Sequence, residues 1–307
     1  MLKHDVNSSS DELSALGSKR PSKAKRVLSV IGESLLLIVF TLVLSVSGQI
    51  TYDYTRYSTF FVNGMSMYPT LNADAYAIGD DGTFHRGDSA SDTMGLLYSW
   101  RNFTNSSVTY YCDYGMFDGK GDYLSKLKRF DVVVTYFPDD LELKDGHYVP
   151  KSASDTGSAP DLKIKRLIAL PNETFRFDSQ GDLWVKKVGS ATFELQEQSF
   201  LDSAVKTIDP DWKKQTVISN SGSAYNTAWT SDNGLTLGEG QYFVCGDNRL
   251  RSNSTDSRIV GAIPADAIQG RAVTIIGRCS FKYYSSTKQD FHALWNSYKM
   301  PWQLEWL

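Results

Sequence analysis

Residues 27–47, Val27 to Ser47, form an almost wholly apolar run with a single charge, Glu33, and Lys19, Arg20, Lys23, Lys25 and Arg26 precede it. About 20 apolar residues are the length a helix needs to cross the hydrocarbon core of a bilayer, and a basic N-terminal flank holds that flank in the cytoplasm. No other feature restricts the chain as much. It divides the sequence into a cytoplasmic basic tail (1–26), a transmembrane anchor (27–47) and an extracytoplasmic portion (48–307). Glu33 lies two turns inside, where its carboxylate can reach the interface or the basic flank, which lowers the cost of burying it. The rival reading is a cleavable signal peptide, because Ser45-Val46-Ser47 before Gly48 is a small-x-small pattern. The long basic region and the spanning length favour an anchor that is retained.

At 307 residues, 41% apolar and 22% charged, the chain has room for the anchor plus one or two globular domains. A net charge of -3, with no basic stripe interleaved with aromatics, gives no footprint for nucleic acid. Cys112, Cys245 and Cys279 show no C-x-x-C or Cys/His spacing, so neither a metal site nor a disulfide framework is expected, although one disulfide stays open. His4, His85, His147 and His292 are isolated in the sequence, and a Ser-His-Asp triad has no support. No cofactor is called for.

After the anchor, Ile50 to Phe61 is dense in aromatics, which suits an interfacial belt or the filling of a β-sheet core. It leads, strand-like, into Val62-Asn63-Gly64-Met65-Ser66-Met67-Tyr68-Pro69-Thr70-Leu71. A serine hydroxyl needs a nearby base, an oxyanion donor and a rigid turn before it acts as a nucleophile. Gly64 and Pro69 can supply the turn around Ser66. Taken alone, the segment is also what an ordinary Gly/Pro loop looks like.

Residues 81–128 lose periodicity and read as an insertion. Arg129 to Pro138 holds a β-branched and aromatic run, expected as a buried strand, and 139–160 reads as loop. In Leu162-Lys-Ile-Lys-Arg-Leu-Ile-Ala-Leu-Pro-Asn-Glu173, alternation puts Lys163 and Lys165 on one face and Ile164 and Arg166 on the other. A lysine acting as a base must be neutral, which asks for about three units of depression from about 10.4, equivalent to about 4 kcal/mol. Burial among apolar side chains is the physical route to it. A solvated strand end is the plain alternative.

Residues 174–237 read as a β-rich accessory subdomain, with two short strands around Ser179-Gln-Gly-Asp182. Gln241 to Cys245 is a further strand, opening onto Gly246-Asp-Asn-Arg-Leu-Arg-Ser-Asn-Ser-Thr-Asp-Ser-Arg258, a loop rich in turn formers, hydroxyls and opposite charges. Ile259–Pro264 and Gly270–Ile276 return to strand, and Trp295, Trp302 and Trp306 lie in the tail.

Together these segments resemble bacterial type I signal peptidases, the Ser-Lys endopeptidases of family S26. The resemblance lies in Gly64-x-Ser66-Met67-x-Pro69-Thr70-Leu71, then Asp131-Val-Val-Val, then Lys165-Arg166 with Leu170-Pro171, then Gly246-Asp-Asn-Arg249 followed by Ser254-x-Asp256-Ser257-Arg258, in that order. It implies a mainly β fold: an antiparallel β-sheet catalytic core (about 50–80, 129–173 and 238–282) with the inserted subdomain 174–237, preceded by one transmembrane helix. It implies Ser66 as nucleophile and Lys165, not Lys163, as general base, with the Ser66 N–H in the oxyanion hole. It also implies that Ser254 hydrogen-bonds the lysine, that Asp256 and Arg258 form an orienting ion pair, and that Arg166 supports the site.

Three departures from the family pattern stand out. Gly64 occupies the place where some members carry a side-chain oxyanion donor, Phe130 and Asn172 stand where glycine is usual, and the loop after Arg249 is two residues longer. Asparagine can take the left-handed conformation that such a glycine adopts.

The implied activity is cleavage of signal peptides from exported preproteins after Ala-x-Ala-like motifs, at the plasma membrane. Implied partners are those signal peptides, membrane lipid and the protein-export machinery, with no metal or cofactor. Two other readings remain: a dedicated pilus or surface-protein signal peptidase of the same family, and a non-catalytic membrane-anchored assembly factor on this scaffold. A self-cleaving repressor with the same chemistry is disfavoured by the anchor and by the lack of a basic DNA-reading helix.

Overall fold

A computed structural model describes residues 22–62, 64–73, 76–78, 84–86, 108–156, 160–217, 227–250, 254–285, 288–293 and 305–306. The N-terminal unit, ending at Thr55, contains most of helix α1 (Lys23–Arg56). Its stretch Lys23–Gln49 is long and apolar enough to cross a membrane. Within α1 the Ser29 hydroxyl donates to the Glu33 carboxylate at 2.9 Å, which gives the run's one charge a partner. The helix continues past 47 through the first residues of the aromatic stretch, and only Tyr57–Phe61 becomes strand β1.

The second unit is built from antiparallel strands: β2 (Tyr76–Ile78), β3 (Phe84–Arg86), β4 (Val108–Asp118), β5 (Val132–Thr135), β6 (Leu141–Lys144), β7 (His147–Pro150), β8 (Lys163–Ala169), β9 (Thr174–Phe177), β10 (Leu183–Lys186), β11 (Glu194–Gln196), β12 (Leu235–Thr236), β13 (Gln241–Cys245), β14 (Ile263–Pro264), β15 (Ile268–Ser285), β16 (Lys288–Ala293) and β17 (Glu305–Trp306). Short helices α2 (Ala153–Thr156), α3 (Asp202–Thr207) and α4 (Ser257–Val260) interrupt them. The main sheet runs β1-β4-β15-β5-β8-β13-β14, with β16 and β17 also on β15. A four-stranded sheet, β11-β10-β9-β12, is formed within 174–237.

Why the central strands read as unbroken apolar runs is visible in the packing. Both faces are covered: Val133, Leu167 and Val244 enter one core, while Ile168, Phe243 and Cys245 enter a second, shared with Phe175, Phe177 and Trp229 of the smaller sheet's side. Strands buried on two faces lose the polar alternation of a half-exposed strand.

Three sequence expectations change here. Strand β4 falls inside 81–128, yet it pairs with β1 and β15 as part of the main sheet. The stretch 139–160 holds the β6–β7 hairpin, turning at Asp145 and Gly146, both at positive φ. Ile259 and Val260 belong to α4, whose N-cap is Asp256. Trp306 pairs with Thr274 on β15, while Trp295 and Trp302 lie outside the described residues.

Candidate active site

Ser66 sits on a turn that three buried side chains pin to the sheet. Val62, Met67 and Leu71, each no more than 2% exposed, pack on Val132, Ala272 and Ile275. Hydrogen bonds from Tyr68 N to Met65 O (3.0 Å) and from Leu71 N to Met67 O (2.9 Å) close the turn. Asn72, at φ +60° and buried, donates from Nδ2 to the carbonyls of Val62 (2.6 Å) and Gly64 (3.0 Å). The approach to the serine is therefore held from both ends. Among the described residues no group accepts the Ser66 N–H.

Lys165 comes from β8, where it stands opposite Val133 of β5. Its Nζ lies 2.7 Å from Ser66 Oγ and 2.8 Å from Ile164 O, with the Phe137 ring 5.9 Å away. The residue is 4% exposed. Burial lowers the pKa of this amine to about 8; Asp256 and Asp247 pull it up, and Lys163 and Arg258 push it down. Lys163, on the same face, is 33% exposed in its side chain and among the described residues pairs with Asp161, at 3.6 Å.

Residues 246–250 and 254–258 lie beside this pair. Asn248 N donates to Ser66 O at 3.0 Å and its Nδ2 to Met65 O at 3.2 Å, so the loop grips the carbonyl of Ser66 itself. Such an approach is open only to glycine at 246, where a Cβ would overlap Ser66 O and Ser254 Oγ. Asp247 accepts a bidentate pair from Arg166 (Nε 2.8 Å, NH2 2.6 Å) and a bond from Thr70 Oγ1 at 2.6 Å. The remaining NH1 of Arg166 donates to Phe130 O at 2.8 Å, and Phe200 lies 4.2 Å from its guanidinium carbon. Arg166 thus links β8, the serine turn and the loop, while Lys165 one residue earlier faces the opposite side of the strand.

Asp256 and Arg258 form a buried bidentate pair at 2.9 and 2.8 Å, and Asp256 also accepts Gly246 N (2.9 Å) and Ser254 Oγ (2.8 Å). Burial on its own would raise the Asp256 pKa, but Arg258 and these donors hold it below the usual carboxylate range. Ser254 differs from the expectation: the Lys165 hydrogen bonds go to Ser66 and Ile164, and the Ser254 hydroxyl goes to Asp256. An ionised carboxylate two residues away is a stronger acceptor than a neutral amine.

Both departures from glycine fall at left-handed backbone. Asn172 takes φ +64° and Phe130 takes φ +71°. A phenylalanine tolerates that angle only where its surroundings over-determine it. Here its N–H bonds Leu167 O (2.8 Å), its carbonyl accepts Arg166, and its ring lies 5.1 Å from Phe200. Gly64 is exposed, with open space where a side chain would stand.

The Gly246-Asp-Asn-Arg249 motif carries no individual roles for Asp247, Asn248 and Arg249 in the sequence, and the second ring of support behind them is not marked there. Arg249, wholly buried, donates to Thr216 Oγ1 (2.9 Å) and Gln198 Oε1 (3.0 Å), and Trp212 Nε1 donates to Asp247 O (2.9 Å). Residues of the 174–237 segment therefore buttress the loop that holds Ser66. No local pattern announces such partners, which are 33 to 51 residues distant for these three bonds.

A cleft of about 740 Å3 opens beside the pair, between Thr59–Val62 with Gly64 and Ser66 on one side and Pro160–Lys165 on the other, with Val134 and Tyr136 also lining it. Its lining runs from Ser66 and Lys165 along β1 and the start of β8. Among the described residues no group of His, Cys, Asp and Glu could hold a metal ion. Cys245 is buried, and burial with Asp256 nearby pushes its thiol up to about 12, so it is inert at neutral pH.

Such a site, a serine and a buried lysine on an antiparallel scaffold beside an open slot, has the features of a peptidase centre. The family described as "Signal peptidase, peptidase S26" matches residues 31–276, and the chain belongs to that family. Among solved structures, one that it resembles is a signal peptidase I from Enterococcus faecalis V583, 24% identical, covering 47% of this chain and 95% of that one, with a TM-score of 0.29. Comparison with curated proteins gave no match.

Proposed function

We propose that this member of the signal peptidase family is a membrane-anchored serine endopeptidase in which Ser66 is the nucleophile and Lys165 the general base. One observation carries the reading: a lysine amine, buried and with its pKa lowered to about 8, lies 2.7 Å from the hydroxyl of Ser66 at the end of an open cleft. Neutral Lys165 takes the Ser66 proton as Oγ attacks the scissile carbonyl. The Ser66 N–H, with no protein acceptor among the described residues, stabilises the oxyanion. Lys165 then returns its proton to the leaving amine as the C–N bond breaks, leaving an ester on Ser66. A water gives its proton to the same amine and attacks the ester, and the amine returns that proton to Ser66 Oγ as the acyl C–O bond breaks. Asp256, Arg258, Ser254 and Arg166 position this pair without touching substrate.

The substrate lies extended in the slot beside β1 and β8, held by main-chain hydrogen bonds, with small side chains at the first and third residues before the cut. Signal peptides of exported preproteins with Ala-x-Ala-like ends meet that requirement. Residues 27–47 anchor the chain once in the plasma membrane, with 1–26 in the cytoplasm and 48–307 outside, among lipid and the export machinery. The segment 174–237 is an accessory subdomain of the catalytic core. The experiment is cleavage of several unrelated Ala-x-Ala precursors by the detergent-solubilised full chain. Cutting most of them supports a general peptidase. Cutting one class alone points to a dedicated pilus or surface-protein enzyme, and cutting none while folded points to an assembly factor.

A further inference from the structure

The cleft has a mixed lining, in which Phe60, Phe61, Val62, Val134 and Ile164 supply apolar wall beside polar and charged groups. The charged residues lining it are Asp161, Lys163 and Lys165. Lys165 is engaged with Ser66. Lys163 is not engaged in that way: its ammonium makes no hydrogen bond to any described residue, and Asp161 Oδ2 approaches it only to 3.6 Å. The Asp161 side chain is 85% exposed, and a loose pair at that exposure contributes little and yields easily to another carboxylate. Charge is therefore ordered along the slot, with a half-buried ammonium inside and a solvated carboxylate at the rim.

Position on the strand adds the distance. Lys163 and Lys165 share one face of β8 a single pleat repeat apart, about 6.6–6.8 Å. An extended substrate has the same repeat. With the carbonyl before the cut at Ser66, Lys163 stands abreast of the third residue before the cut, and its flexible arm reaches the second and the fourth.

We propose that Lys163 is a specificity-determining residue, whose ammonium in the cleft selects substrates carrying an acidic side chain at the second or fourth residue before the cut. This rests on the cleft being the substrate groove of the peptidase proposed above. Aromatic and aliphatic walls partly exclude water there, so the attraction exceeds that of the exposed Asp161 pair. A lysine or arginine at the same substrate position meets a like charge and is cut less well.

The test uses the full chain in detergent micelles and Ala-x-Ala-like peptides that carry glutamine or glutamate at the second or fourth residue before the cut. The expected result at low salt is a kcat/KM ratio for glutamate over glutamine of about threefold to tenfold at one of these positions. The ratio shrinks towards one at about 0.5 M salt. It disappears in Lys163→Gln, inverts in Lys163→Glu and grows in Asp161→Asn; taking it within each variant cancels any change in the dyad. Equal cleavage of the glutamate and glutamine peptides by wild-type protein overturns the proposal and leaves the peptidase reading intact. So does a preference that survives Lys163→Gln. No cleavage of any peptide by folded wild-type protein overturns both.

Discussion

Lys165 Nζ and Ser66 Oγ are 2.7 Å apart, although 99 residues separate them in the chain. The amine must be neutral to accept the serine proton, and burial holds its pKa at about 8. Below that value the neutral fraction falls about tenfold per pH unit and the base is lost. The rate should therefore rise with pH through about 8 and level off above it, read as kcat/KM against pH. Because Lys163 is one of the charges that lower this pKa, Lys163→Gln should move the midpoint to higher pH.

Gly246→Ala should cost at least about a hundredfold in kcat, since its Cβ would overlap the Ser66 carbonyl and the Ser254 hydroxyl and displace the nucleophile. The variant should stay folded by circular dichroism while steady-state kinetics show the loss.

Ser254→Ala and Asp256→Asn separate two roles. Ser254 supplies one of several donors to Asp256, which keeps Gly246 N and Arg258 after the change, so kcat should fall less than about tenfold. Asp256→Asn leaves the buried Arg258 without its carboxylate and should cost about 3–5 kcal/mol of stability. Kinetics on the first and chemical denaturation of the second check the pair.

Much of this was legible from the chain because local chemistry agrees with the final packing. Lys163 and Lys165 alternate out of β8, Ser179 to Asp182 makes the turn between β9 and β10, and Asn172 takes the left-handed conformation its short polar side chain allows. What escaped has identifiable causes. Strand β4 carries Asp113 and Gly115 within a polar neighbourhood, and its order comes from β1 and β15, far away in sequence. The Asp145-Gly146 dipeptide is a strong hairpin signal, set in a polar stretch that otherwise reads as loop. Ile259 and Val260 favour strand by type, but Asp256 caps a helix there by accepting Arg258 N. Likeness pairs Ser254 with Lys165, whereas a charged acceptor two residues along accepts its hydrogen bond.

Gly64 leaves open space two residues before the nucleophile. Gly64→Ser should fit without strain and place a hydroxyl near the developing oxyanion, raising kcat by about tenfold with KM little changed. Equal kcat in the two proteins would show that the main chain alone serves that role.

The central claim is that Lys165 is the base for Ser66. The most direct measurement is kcat/KM of Lys165→Ala and Ser66→Ala on one Ala-x-Ala precursor, beside wild-type protein at pH 8.5, with folding verified for each. The account predicts that both variants lose at least about a thousandfold while staying folded. A Lys165→Ala protein that keeps more than about a tenth of the activity would contradict it, because another group would then be taking the serine proton.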